Sequence, residues 1–214
     1  MKVLLFGATG MVGMGVLREC LLDPRVEKVV TVGRASTGQL HAKLGEVVHA
    51  DLRNLGPVES ELTGFDACFF CLGVSSAGMS EADYRVITKD LTLSVATTLA
   101  RLNPEMTFVY VSGTGTDSTE KGRTMWARVK GETENALFAL PFKAKYMFRP
   151  GFIQPLHGIR SKTRLYRAIY AMFSPFYPLL KSAAPRWVTN TEAVGKAMIE
   201  VAASGSEKLH LENA

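Results

Sequence analysis

No run of about 18 uninterrupted apolar residues occurs in the 214-residue chain, so a membrane-spanning helix is not expected. The N-terminus also lacks the long apolar region and small-residue cleavage site of a secretory signal, since Gly7 interrupts the first apolar run almost at once. A cytosolic protein is the expectation. Cysteine is scarce, at three residues, which fits a reducing compartment. Cys68 and Cys71 form a Cys-x-x-Cys, yet they lie in the strand-like run Ala67-Cys68-Phe69-Phe70-Cys71-Leu72 and do not open a helix. Residues three apart on a strand face opposite sides, so the two sulfurs should not meet. The four histidines, His41, His49, His157 and His210, show no metal-ligand spacing, and no metal is predicted. There is no internal repeat, no low-complexity segment and no nucleic-acid-binding motif. The net charge of +5 suits anionic partners such as phosphorylated cofactors, but an excess this modest is also ordinary.

The most informative stretch is Val3 to Gly13. The apolar run Val3 to Phe6 stops at Gly7, Gly10 and Gly13, and a helical pattern with Val16, Leu17 and Leu21 follows at once. A strand, a tight turn and a helix in that order open a dinucleotide-binding βαβ unit. Gly7 lets the chain leave the strand sharply. Gly10 removes a side chain where backbone must approach a pyrophosphate, and Gly13 lets the helix pack close to the sheet. The phosphates would meet unpaired N–H groups at the positive end of the helix.

Apolar runs and helical patterns alternate along the remainder. Strands are expected at 2–7, 27–32, 46–49, 66–71, 106–112 and 143–149, and helices at 11–22, 80–102, 122–139, 163–182 and 190–203, with a helical turn near 57–62. Ser80-Glu81-Ala82-Asp83 reads as a helix start, and Thr189-Asn190-Thr191-Glu192 matches a capping box. The alternation predicts a doubly wound parallel sheet, a Rossmann fold, in one domain over 1–214. Residues 151–188, richer in proline, aromatic and basic residues, are expected to form a small helical cap on the substrate side.

With these elements placed, the chain resembles the atypical, extended short-chain dehydrogenase/reductases, the NAD(P)-dependent epimerase/dehydratase-like group, and within it the short Tat-interacting-protein-like oxidoreductases. The marks are Gly7-Ala8-Thr9-Gly10-Met11-Val12-Gly13, Val32-Gly33-Arg34, Ala50-Asp51-Leu52, Cys71-Leu72-Gly73, Val111-Ser112-Gly113, Lys130-Gly131-Glu132 and Arg149-Pro150-Gly151. The resemblance implies a cofactor held by the glycine loop, including Thr9, Met11 and Val12. Asp51 and Leu52 would hold the adenine, Cys71, Leu72 and Gly73 would lie along the ribose, and Pro150 and Gly151 would complete the site. Just past the second strand, NAD-binding members place an acid for the ribose hydroxyls, whereas this chain has Arg34. A guanidinium suits a 2′-phosphate, so NADP is expected over NAD, the alternative being a solvated surface arginine.

The resemblance further implies a Ser, a Tyr and a Lys four residues after the Tyr as the reacting groups. Ser112 would orient a carbonyl and Lys130 would bind ribose, but Trp126 stands where the Tyr belongs. An indole N–H donates a hydrogen bond and does not exchange a proton near neutral pH. Tyr84 and Tyr110 are substitute donors to consider, with Tyr110 reading as core. Lys130 could instead be an exposed helix lysine paired with Glu134, and Ser112 a strand-end hydroxyl bonded to backbone.

The expected function is therefore an NADP-binding oxidoreductase or epimerase acting on a small carbonyl, hydroxyl or sugar-like substrate. The alternative is a catalytically silent NADPH sensor in which Trp126 plugs the nicotinamide site. Further on, Arg160, Arg164 and Arg167 share one helical face opposite Leu165, Ile169, Met172, Phe173 and Phe176. That pattern fits a helix packed on the core, a lid, or a membrane-surface contact, and Pro175 and Pro178 weigh against the last. A homodimer through helices 80–102 and 122–139 would follow the wider family.

Overall fold

The computed structural model describes residues 1–159 and 187–213. Seven parallel strands form one sheet: β1 (Lys2–Phe6), β2 (Lys28–Gly33), β3 (Leu44–Val48), β4 (Ala67–Phe70), β5 (Thr107–Val111), β6 (Ala144–Arg149) and, after two further strands, β9 (His210–Glu212). Their spatial order is β3-β2-β1-β4-β5-β6-β9. The chain winds outward from β1 through β2 to β3, then crosses back to place β4 on the other side of β1. Leu5 is thus opposite Thr31 of β2 on one side and Phe69 of β4 on the other. The order reverses between β1 and β4, where a ligand crevice opens in folds of this kind.

The central strands β1, β4 and β5 are apolar almost throughout because both faces are covered. Along β1, Leu4 and Phe6 join the core under α3 (Leu91–Leu102), α4 (Met125–Phe138) and a 3₁₀ turn (Gly56–Leu62), with Val95, Leu99, Leu137 and Leu62. Val3 and Leu5 join the opposite core under α1 (Met11–Leu22) and α5 (Thr191–Ser204), with Val16, Leu17, Met198 and Ile199. Each fully buried Leu or Phe contributes roughly 1.5–3 kcal/mol. A ladder of rings, Phe6–Phe70 at 5.5 Å, Phe70–Phe108 at 5.9 Å and Phe108–Phe142 at 4.9 Å, ties β1, β4 and β5 together. The cysteine expectation holds: Cys68 lies in the first core, and Cys71 packs with Cys20 in the second.

Three details differ from the sequence reading. The helix expected over 80–102 begins as α2 (Glu81–Arg85), capped by the Ser80 hydroxyl accepting from Asp83 N–H, but widens into a π turn (Val86–Asp90) before α3. There Leu91 N–H donates to Val86 O, five residues back. The β-branched run Val86-Ile87-Thr88 occupies this wide turn, and a 3.6-residue periodicity cannot count the extra residue. Second, Asn190, and not Thr189, caps α5: its side chain accepts from Ala193 N–H at 2.7 Å. Third, three short strands lie beyond Arg149. β9 extends the sheet, while β7 (Phe152–Gln154) and β8 (Val188–Asn190) pair with each other. Strands of three residues are too short to carry an alternation signal. The expected helix 163–182, with Arg160, Arg164 and Arg167, lies outside the described residues.

Candidate functional site

The glycine turn is built by close approach. Gly7 sits at φ +86°, and a Cβ there would lie 2.7 Å from the Cys71 carbonyl carbon. A Cβ on Gly13 would lie 2.1 Å from Gly7 O, so the first turn of α1 touches the strand end. Gly10 differs: its Cβ would meet only Gly7 O, at 3.3 Å, and otherwise faces open space. Gly10 is also the N-cap of α1, in extended conformation, with no side-chain cap and no acid in the first turn. The first N–H groups of α1 therefore point at a cradle that a side chain would fill, which suits a diphosphate.

From this cradle a groove runs both ways. A cavity of about 190 Å³, bounded by Gly7, Thr9, Gly33, Arg34, Leu52 and Leu72, shares its walls with one of about 480 Å³ that adds Asp51, Arg53, Gly73, Val86 and Ile87. Arg34 lines both, is exposed, and has no ion-pair partner among the described residues. Its loop is pinned to β3 through Glu46, whose carboxylate accepts from Ser36 Oγ at 2.5 Å and Thr37 N at 2.7 Å. The Ser36 hydroxyl, followed by Thr37, holds the Glu46 carboxyl below its ordinary range. Asp51 both faces the larger cavity and closes a turn by accepting from Arg53 N–H at 3.0 Å. Leu52 is buried between the two cavities.

Past Val74 the groove continues into a third cavity of about 430 Å³, lined by Tyr84, Ser112, Thr114, Trp126, Lys130, Pro150 and Gly151. The expected reacting residues thus meet in one cleft. Ser112, only 2% exposed, donates from Oγ to Glu134 Oε1 at 2.5 Å. Glu134 is itself fully buried and receives Arg149 Nε at 3.1 Å, with Arg149 Nη2 on its other oxygen. Glu134 therefore does not pair with Lys130, as the i,i+4 spacing suggested. Lys130 Nζ donates to Ser112 O, and desolvation lowers its pKa to about 8, opposed by the more distant Glu134 charge. Tyr110 is core, as expected, with burial raising its phenol further. Tyr84 is 2% exposed but sits on the cleft wall.

Trp126 lies on the wall and does not fill the cleft. The ring edge (Cη2) would come within 3.3 Å of a Cβ on Gly115, so the indole packs under the 113–124 loop. That loop crosses α4 at Gly131, where a Cβ would sit 1.8 Å from Asp117 O. Thr114 N–H donates to Pro150 O at 2.9 Å and its hydroxyl to Arg149 O at 2.8 Å, joining the loop to the end of β6. The sequence reading missed Glu134 and Arg149 as a pair. A Glu one turn beyond the family lysine and an Arg before Pro150-Gly151 were the available signals.

It also treated the histidines as isolated. The fold brings His157 to Glu192, Nε2 to Oε2 at 2.8 Å, with Glu19 adjacent, a grouping of metal-ligand type. Lys196 Nζ already lies 2.5 Å from Glu192 Oε1, and Arg18 pairs with Glu19, so each carboxylate has its own cation. Lys196 and then His157 draw the Glu192 carboxyl down to about 2.

Comparison with known proteins agrees with this fold. The NAD dependent epimerase/dehydratase family model matches residues 3–123. A relative from Emericella nidulans, named protein fmp52, mitochondrial, is 30% identical over 206 residues, covering 92% of this chain and 85% of the relative. Among solved structures, a UDP-glucose 4-epimerase superposes with a TM-score of 0.72 at 16% identity, covering 100% of this chain and 77% of the other. Gre2 from Candida albicans, in complex with NADPH, gives 0.72 at 14% identity, covering 100% and 78%. The chain belongs to the NAD-dependent epimerase/dehydratase family, of Rossmann architecture.

The expectation of a cytosolic protein is corrected by the mitochondrial names of its curated relatives. Apolar patterning does not register mitochondrial targeting, which rests on basic amphipathic segments.

Proposed function

We propose that the chain binds NADP along the groove from Asp51 to Lys130 and moves hydride between its nicotinamide and a small carbonyl or hydroxyl substrate. The adenine would lie between Asp51 and Leu52, the diphosphate on the first turn of α1, and a 2′-phosphate on Arg34. The nicotinamide would enter the cleft between Ser112 and Lys130. When bound, the cofactor supplies or accepts the hydride; the chain positions it and manages the proton. A mitochondrial setting fits the relatives' names.

The observation that carries a reductive function over a silent sensor is the open cleft itself. About 430 Å³ remains free beside Trp126, whose ring is parked against Gly115 and plugs nothing. Four small hydroxyl residues, Ser75, Ser76, Ser112 and Thr114, and one ammonium line this space. That lining suits a compact, largely neutral substrate.

Nicotinamide fluorescence titrations with NADPH and NADH test the cofactor assignment. Single-turnover oxidation of bound NADPH by a panel of small aldehydes and ketones then tests the reaction. Saturable NADPH binding with no oxidation by any carbonyl would favour the sensor reading.

A further inference from the structure

We propose that Lys130 Nζ takes the place of the absent phenol as the group that exchanges a proton with the substrate oxygen. The inference rests on the hydride-transfer reading above. Its basis is a cation in a cleft with no acidic partner among the described residues. Among the described residues no carboxylate lies within ion-pair distance of Lys130, and its hydrogen bond goes to a backbone carbonyl, Ser112 O. Lys130 is half-buried, and lysines are rarely drawn into a cleft without an acidic partner. The acid that the helix would have offered, Glu134, is occupied by Arg149 of β6 and by Ser112. An ammonium so placed releases its proton more readily than a solvated one, in keeping with its lowered pKa of about 8.

The other groups on the cleft wall are worse placed for proton exchange. The Trp126 indole does not ionise near neutral pH, and the Ser112 hydroxyl is turned to Glu134. The Thr114 hydroxyl donates to Arg149 O. Among the described residues, the titratable and charged groups nearest Lys130 are Glu134 on its own helix, with Arg149 of β6 and His210 of β9 against that carboxylate, and Tyr84 of α2 on the cleft wall, where Tyr84 is the rival donor.

In the reducing direction hydride reaches the carbonyl carbon, and the C=O π pair moves to oxygen. That oxygen takes the proton from Nζ, leaving a neutral amine that regains its proton from water. In the oxidising direction the neutral amine removes the hydroxyl proton as hydride leaves.

The test uses the intact chain. Trace acetylation with acetic anhydride from pH 6 to 11, read lysine by lysine by mass spectrometry, gives each amine's titration. Lys130 should label with a midpoint near pH 8, well below the ordinary lysine range near 10.4. NADPH should slow Lys130 labelling by about tenfold or more, and Lys130→Arg should abolish this label alone. Propionaldehyde with cyanoborohydride at pH 8 should alkylate Lys130 ahead of the surface lysines, showing that a carbonyl carbon reaches Nζ. A Lys130 midpoint near 10 would overturn the proposal. So would a tyrosinate absorbance at 295 nm that rises near pH 8 and is missing in Tyr84→Phe. Labelling near pH 8 without protection by NADPH would leave the reactive amine standing and sink the cofactor reading instead.

Discussion

The two halves of the groove are made by opposite means. The nucleotide half, from the end of β1 to the end of β4, is shaped by missing side chains: Gly7, Gly10 and Gly13 let backbone approach backbone and leave helix N–H groups unpaired. The proposed reaction half, at the ends of β5 and β6 and along α4, is shaped by charge: Glu134 and Arg149 hold each other, and among the described residues Lys130 has no acidic partner. A glycine cradle is a matter of excluded volume and tolerates almost no change. A charged framework can be retuned by exchanging one side chain.

Four perturbations would break or sharpen this contrast. The largest effect is expected at Arg149→Met. It removes the guanidinium from the fully buried Glu134 carboxylate, leaving it the Ser112 hydroxyl and, at 3.5 Å, His210 Nε2, and should cost about 3–5 kcal/mol in denaturant unfolding. An unchanged midpoint would mean that Glu134 finds another partner.

The second perturbation separates two glycines within the nucleotide half. Gly13→Ala drives a Cβ into Gly7 O and should lower stability by about 2 kcal/mol or more. Gly10→Ala has space and should cost under about 1 kcal/mol. It should nonetheless weaken NADPH binding by roughly tenfold or more, because its methyl projects into the diphosphate cradle. Equal effects at both positions would contradict the assignment of the cradle.

The third concerns the sign of the Lys130 contribution. Its folded-state pKa, about 8, lies below the ordinary 10.5. Below pH 8 both folded and unfolded chains carry the proton, so the cost of burying the ammonium is fully present. Between 8 and 10.5 the unfolded chain binds more protons, and the native state recovers stability as pH rises. Lys130→Met should therefore be more stable than wild type at pH 7, by roughly 1–2 kcal/mol, with the advantage fading by pH 10.5. Destabilisation at pH 7 would show that the ammonium is well solvated. The smallest effect is expected from Glu46→Gln. Loosening the loop around Ser36 and Thr37 should raise the NADPH dissociation constant about threefold and leave NADH unaffected.

This contrast also explains what could be read from the residues alone. The alternation of β1 to β6 with α1, α3 and α4 was legible because buried parallel strands are continuously apolar. The glycine turn was legible because its chemistry is written in spacing. Arg34, Asp51 and Leu52 could be placed on the groove because they follow strand ends in order. The reaction half was less transparent. Whether Glu134 pairs with Lys130, one turn away, or with Arg149, on β6, depends on tertiary geometry, and helical spacing favoured the wrong partner. The π turn at Val86–Asp90 adds one residue that no periodicity registers. The strands at 152–154, 188–190 and 210–212 are held by register with neighbours, not by a pattern of their own.

The most direct test of the central claim is the paired titration of wild type and Arg34→Ala with NADPH and NADH, followed by nicotinamide fluorescence. Wild type should bind NADPH saturably. Arg34→Ala should weaken NADPH by about 10- to 100-fold through loss of a charge-assisted contact to the 2′-phosphate, with NADH within about twofold of wild type. Equal weakening of both nucleotides, or no binding of either by the wild type, would contradict the account.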